Sequence, residues 1–451
     1  MDSLRKLCGR CLYRTLTHYS KVRGMGRFTI VLTGDIPAMW TRDSAVQVAA
    51  YLPRISSHPA LRGVVEGAIR AQAFFILQDP WANAYNPDYK KPETLSKTER
   101  ELGRGGWVWT RNFEVDSIAY FFNLLWDWYQ TRGIWAPEQL LAEALIHDAV
   151  VLALDVLVIE QDHDEKSPYR YSELPRNGLG PAHKRTGMVW SAFRPSDDPQ
   201  KYSYSIASNI HVAGALLRLT TINRRVWCDG ALHERASQLY SDITTGIRTY
   251  GVFPIPDAPG QRVYAYEVDG LGNALLDFDD PNVPSLLSIP LLGWEGADMA
   301  VYAETRKRIF SSKNPYYFKG SKFEGLGSPH TYTSYIWPLA TSVEALTTQD
   351  AGRQAQLLRY LSQMDTVNGL MHESVHVDAP ERYSRAEFGW ANTMLVVAVE
   401  QLLGVDCDAA AEEYRLETIT AREAKEPRVM PNKGPESPLY YETLQATISH
   451  V

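Results

Sequence analysis

Apolar positions recur every three or four residues through most of the chain, which is the spacing of amphipathic helices. Ile118, Phe121, Phe122, Leu125 and Tyr129 mark one stripe, and Leu141, Leu145, Leu152 and Val156 mark the next. Gly133 and Pro137 lie between them, so the pair predicts a helical hairpin. The same spacing predicts helices over 43–53, 63–78, 204–222, 229–250, 297–310, 331–347, 350–364 and 387–403, with a further one over 409–422. The stretch 251–296 is broken by Pro and Gly and holds at most a short helix near 284–290.

Long connections separate the helix pairs, at 79–111, 162–203, 251–296, 311–330 and 365–386. Loops of that length inside a compact domain are usually functional, and these are rich in Trp, Tyr, Gly, Pro and Asp instead of being low in complexity. No repeat is visible, and no Ser/Gly linker divides the chain. The pattern predicts an all-α fold, a toroid of helical hairpins whose long loops gather at one end. Its expected divisions are a short basic arm over 1–30, a catalytic domain over 31–404 and a tail over 405–451 that packs on the same domain.

Composition narrows the class. The chain has 451 residues and 45% hydrophobic content, enough for a large core. Lys+Arg number 46 against 53 Asp+Glu, and neither sign forms a long block, which argues against a nucleic-acid partner. No apolar run is long enough to span a membrane, and residues 1–30 lack the apolar middle of a signal peptide. The chain as given is therefore expected to be cytoplasmic, or secretory if a leader has been removed, and a monomer is expected. Cys8, Cys11, Cys228 and Cys407 are too few and too scattered for a disulfide scaffold, and there is no Asn-x-Ser/Thr acceptor. Cys8-Gly-Arg-Cys11 has metal or redox spacing but no second pair.

The 12 Trp and 25 Tyr concentrate where the helical pattern lapses. Thr33-Gly-Asp-Ile-Pro-Ala-Met-Trp-Thr-Arg-Asp-Ser44 crowds Trp40, Arg42 and Asp43 at the start of a helix. Asp43 or Ser44 could cap that helix, but capping needs no Trp. A Trp face over the C–H side of a pyranose, with Arg and Asp on neighbouring hydroxyls, accounts for all three. Arg194-Pro-Ser-Asp-Asp198 lies among Trp190, Phe193, Tyr202 and Tyr204. Asp pairs before helices are often caps, yet a carboxyl walled by aromatics can hold a proton near neutrality, as a general acid must. Asn209 follows on the next helix. Arg111, Glu114 and Asp116 form either an acidic first turn or a subsite, and His330 in Gly327-Ser-Pro-His330 could bond a sugar hydroxyl. Glu267, Asp269 and Asp280 either line the pocket or stabilise turns.

His372-Glu373-Ser-Val-His376 is a literal His-Glu-x-x-His. It binds zinc only on a helix, where both histidines share a face. Asn368-Gly369 before it and Pro380 after it leave barely two turns, so zinc-peptidase chemistry is the remote reading and a loop general base at Glu373 the favoured one.

Seven of these stretches, taken in order, resemble glycoside hydrolase family 125. They are Thr33–Ser44, Phe193–Asp198, Tyr264–Asn273, Asp279–Leu286, Gly327–His330 with Tyr335–Pro338, His372–Ser374 and Phe388–Asn392. The resemblance implies an (α/α)6 toroid and a cofactor-free, metal-independent exo-α-1,6-mannosidase that inverts configuration. It places the acid in Ser196-Asp197-Asp198, with Asp197 favoured, and the base on Glu373. It also implies an α-mannoside partner at Trp40, Arg42, Asp43, Arg111, Asp116, Arg194, Asn209 and His330. Trp-Thr-Arg-Asp-Ser is also similar to a glucoamylase motif, so another α-glycosidase and a non-catalytic glycan binder are the alternatives. The motif at 33 begins so early that the first helix of the ring is expected to be truncated, replaced or missing.

Overall fold

The computed structural model describes residues 2–423 except 25, 134, 256–257 and 365–367, with the side chains of 92 and 416–423 also left undescribed. Among the described residues, twelve helices have nine or more residues. They are α1 Asp2–His18, α2 Thr41–Ala49, α3 Ala60–Gln78, α4 Val115–Tyr129, α5 Ala144–Glu160 and α6 Ile206–Arg225. Then follow α7 Gly230–Tyr250, α8 Met299–Ile309, α9 Pro338–Thr347, α10 Ala351–Leu361, α11 Gly389–Leu403 and α12 Cys407–Glu423.

Packing sorts these helices into an inner and an outer ring. α2 packs on α4, α4 on α6, α9 on α11, and α11 back on α2. The short 3-10 turn Ile289–Leu291 packs against α6. Inner helices are covered nearly all round: on α4 only Trp126 and Asp127 are not buried. Outer helices keep one stripe. On α7 it is Leu232, Ala236, Leu239, Ile243 and Ile247. On α5 the buried stripe is Ile146, Ala149, Val150, Ala153, Leu154 and Leu157, while Leu145 and Leu152 are only partly covered. The architecture is the (α/α)6 toroid.

The helix expected to be truncated or missing is present. Residues 2–18, expected as part of an arm, form the 17-residue α1, which packs on α11 and α12 through Leu4, Leu7, Cys8, Cys11 and Leu12. These five positions have helical spacing, and two of them are the cysteines that suggested metal or redox chemistry. Cys8 and Cys11 do not act as a pair. Cys8 is disulfide-bonded to Cys407 at the start of α12, with Cα atoms 5.6 Å apart, and the Cys11 thiol donates to Asn392 Oδ1 at 3.2 Å. A link across 399 residues has no local spacing to betray it. Ring closure brings the two ends together. The part of the expected tail beyond 423 lies outside the described residues. No described helix is long and apolar enough to cross a membrane.

Small sheets join the loops at one end of the toroid. β1 Met39–Trp40, β2 Ala84–Lys90 and β3 Gly106–Thr110 form one antiparallel sheet in the order β1-β2-β3. β4 Tyr204–Ser205 pairs with β5 Glu267–Val268, and β6 Tyr335–Ile336 with β7 Val375–His376. Residues 331–337, expected to be helical, are loop and strand. Pro338 at the first helical position starts α9 instead.

Candidate active site

The loops enclose a cavity of about 310 Å³. That is near the lower end of the range that holds small ligands, roughly 300–1,000 Å³. Thr33, Ile36, Trp40, Arg42 and Asp43 line it from the segment entering α2, and Thr110 and Asn112 from the end of β3. Pro195, Ser196, Asp197 and Asn282 contribute a third wall. His330, Trp337, Glu373, Arg385, Phe388 and Trp390 complete the lining. Gly34 makes the closure of this ring feasible. Its φ is +94°, and a Cβ there would lie 2.6 Å from the Glu387 carbonyl oxygen.

Asp197 sits at the tip of a turn in which the Asp197 N–H donates to Arg194 O and the Arg194 N–H to Asp198 O. Its φ of +67° is rare outside glycine and least unfavourable for Asp and Asn. Neither aspartate caps a helix. Ser205 caps α6. Asp197 Oδ1 accepts from Asn83 Nδ2 at 2.6 Å and Trp40 Nε1 at 3.3 Å. Asp198 instead accepts from His330 Nδ1 at 2.9 Å. Burial alone would lower the His330 pKa, but the hydrogen bond and charge of Asp198, with Glu373 and Asp197 nearby, raise it to about 9. The rim of the cavity therefore carries an imidazolium at neutral pH.

Glu373 enters from the opposite loop cluster. Its Oε2 accepts from Ser384 Oγ at 2.8 Å and its Oε1 from Arg385 Nη1 at 3.3 Å. Arg385 is itself held by Asp35 Oδ1 at 2.8 Å and by Thr33 O at 3.0 Å. The His-Glu-x-x-His segment is not helical, which removes the zinc-peptidase reading. His376 is in β7 with its Nδ1 accepting from the Asp378 N–H, whereas His372 stacks on Tyr383 with its Nδ1 3.0 Å from Ala386 O.

Beneath the cavity, Arg42 is buried under the Trp390 ring and donates from Nη1 to Glu114 at 2.7 Å and Asp116 at 3.1 Å. Asp43 lies 3.5 Å from the Arg42 Nε and accepts from the Thr33 hydroxyl. So Asp43 caps nothing. Burial raises the pKa of all three carboxyls, with Arg42 opposing the shift, and the charge of Asp197 pushes Glu114 further up. Asp116 and Glu114 are thus neither cap nor lining: they hold Arg42 against the cavity floor.

Three expected binding residues also stand behind the wall. Arg111 pairs with Asp79 at 2.6 Å beside Trp81 and Tyr169. Arg194 donates to Glu267 Oε1 at 2.6 Å, while Glu267 Oε2 accepts from the Lys201 and Tyr202 N–H groups. This pins the loop that presents Asp197. Asn209 bonds the backbone of Val189 and Ser205. Asp269 braces a turn through Leu271 and Asn273, and Asp280 accepts from Ser196 Oγ. Asn83, Thr110, Asn112, Ser384 and Arg385 are polar residues of the site that the sequence reading missed.

A toroid of helix pairs with a carboxylate-, arginine- and tryptophan-lined cavity at its loop end is the architecture of (α/α)6 glycosidases. The profile of the family described as metal-independent alpha-mannosidase (GH125) matches residues 2–399, so the chain belongs to that family. A solved metal-independent α-mannosidase from Streptococcus pneumoniae, in a non-productive complex with α-1,6-mannobiose, is 37% identical. The alignment covers 90% of this chain and 95% of that one, with a TM-score of 0.82. The meiotically up-regulated gene 157 protein of Schizosaccharomyces pombe is 34% identical over 89% of this chain and 82% of its own. A glucoamylase from Saccharomycopsis fibuligera shares the fold at a TM-score of 0.57 and 12% identity, over 88% of this chain and 94% of its own.

Proposed function

We propose that this protein is an exo-acting α-1,6-mannosidase that hydrolyses terminal mannose in one inverting displacement. The carrying observation is that Asp197 and Glu373 line one small cavity from different loop clusters. Asp197 protonates the glycosidic oxygen as the bond to the anomeric carbon breaks. Glu373 takes a proton from the water that attacks the opposite face. The mechanism requires the two carboxyl groups to stand about 6.5–9.5 Å apart in the substrate complex, leaving room for that water. Trp40 offers a stacking face, while Arg42 and Asp43 present donor and acceptor to the ring hydroxyls. Metal independence and the α-1,6-mannobiose bound by the bacterial relative support the substrate assignment. The Cys8–Cys407 disulfide supports an oxidising compartment over the cytosol.

The test is release of monosaccharide from α-1,6-, α-1,3- and α-1,2-linked mannobiose and from maltose, with and without chelator. Chelator-resistant cleavage of the α-1,6 isomer is expected. Preferential cleavage of maltose would make the protein a glucoamylase-like enzyme, and tight binding without any turnover would make it a glycan-binding member.

A further inference from the structure

Asn83 lies behind Asp197, between α3 and β2, and is fully buried. The direction of its amide is fixed by chemistry. Its Oδ1 is 3.2 Å from the Asn112 backbone nitrogen, which can only donate, and 2.8 Å from Thr110 Oγ1. That atom must be the carbonyl oxygen, so the NH2 group is the one 2.6 Å from Asp197 Oδ1. The Asn83 main chain is tied as well, because its carbonyl accepts from the Thr41 N–H at 3.0 Å. Trp40 Nε1 at 3.3 Å and Asn112 Nδ2 at 3.5 Å converge on the same carboxylate oxygen. Asn83 Nδ2 and the Trp40 indole N–H can only donate, while the Glu114 carboxyl is a further polar group within hydrogen-bonding reach of Asp197. A proton on Oδ1 would break the bonds from Asn83 and Trp40, so these two donors favour an acid proton on Oδ2.

We infer that Asn83 is a positioning residue, which anchors Oδ1 of Asp197 so that the transferable proton sits on Oδ2 and stays aimed at the glycosidic oxygen. The inference rests on Asp197 being the general acid. Asp197 needs such an anchor because it occupies a turn tip in the left-handed region, with no helix or strand to hold its side chain. During turnover the Oδ2–H bond breaks, its proton passes to the leaving oxygen, and the negative charge left on the carboxylate is met by N–H donors already in place. Trp40 and Asn112 line the cavity and cannot be altered without touching the sugar. Asn83 is behind the carboxylate, so its loss reports on the acid.

The experiment compares wild type, Asn83→Ala, Asn83→Ser and Asp197→Asn on α-1,6-mannobiose and on α-mannosyl fluoride, whose leaving group needs no protonation. Asn83→Ala is expected to lower kcat on mannobiose by about 10²-fold, within the range of general-acid contributions, with little change in KM. On the fluoride its loss should be several-fold at most, and Asn83→Ser should follow the same pattern if Asn83→Ala folds poorly. Equal losses on both substrates, or full activity on mannobiose, would overturn the positioning role. Asp197→Asn separates the two ideas. If it impairs fluoride as severely as mannobiose, Asp197 is not the acid and the inference falls with that reading. If it spares fluoride while the Asn83 variants do not, only the positioning role fails.

Discussion

Asp197→Asn and Glu373→Gln are each expected to lower kcat on α-1,6-mannobiose by about 10²–10⁴-fold, the usual contribution of a positioned acid or base. Both changes are nearly isosteric, and both leave the surrounding donors in place. An amide at 197 still satisfies part of the shell made by Asn83 and Trp40 but has no proton to give. An amide at 373 can keep the Ser384 or Arg385 contact on its oxygen but cannot take a proton from water. Folding should therefore survive while turnover does not. Circular dichroism and the melting temperature check the first, and steady-state kinetics the second. Near-wild-type turnover in either folded variant would remove that residue from the mechanism.

The second large effect concerns stability. Arg42→Ala is expected to cost about 3–5 kcal/mol, the range for breaking a buried ion pair on one side. The reason is what remains: Glu114, Asp116 and Asp43 are buried and would face one another without their common cation. Arg42→Lys should recover only part of the loss, since one ammonium cannot serve three carboxyls in the plane a guanidinium spans. The penalty also has a pH sign. Burial already raises these carboxyl pKa values in the native state, and removing Arg42 raises them further. The folded variant then binds protons more readily than the unfolded chain, so it gains stability as pH falls. Urea unfolding should show the full deficit at neutral pH and a smaller one on acidification. A deficit below about 1 kcal/mol at pH 7, the scale of a surface pair, would mean that the cluster does not act as a buried network.

The long helices are the part of the fold most legible in the sequence, because each repeats apolar residues at three- and four-residue spacing. On α7 the expected span of 229–250 and the observed Gly230–Tyr250 nearly coincide. Periodicity does not separate the two rings: the inner helix α4 shows the plain stripe Ile118, Phe121, Phe122, Leu125 and Tyr129 although nearly all of its residues are buried. α1 has a plain apolar stripe, but Cys8 and Cys11 are two of its five buried apolar positions and invite a chemical reading over a packing one. The site divides in a similar way. Trp40, Arg42, Asp43, Asp197, His330 and Glu373 do reach the cavity. Asp198 faces His330 instead. Arg111 is the residue the sequence suggests, yet successive residues on extended backbone point to opposite faces, and its neighbour Asn112 has the inward one. Arg194, Asp116 and Asn209 carry the residue types of a binding site while serving as its frame. Composition cannot separate those roles, since a buried guanidinium needs carboxylates whether or not a sugar is present. Asn83 and Arg385 lay in loops with no spacing to mark them, and only the closure of the toroid brings them to Asp197 and Glu373.

The most direct test of the account is the stereochemistry of the first product, followed by proton NMR as the purified protein cleaves α-1,6-mannobiose. β-Mannose should appear first and convert to the α anomer at the slow rate of spontaneous mutarotation, unchanged by chelator. First appearance of α-mannose would contradict the single displacement by Asp197 and Glu373, and would require a covalent intermediate with carboxyl groups only about 5–5.5 Å apart.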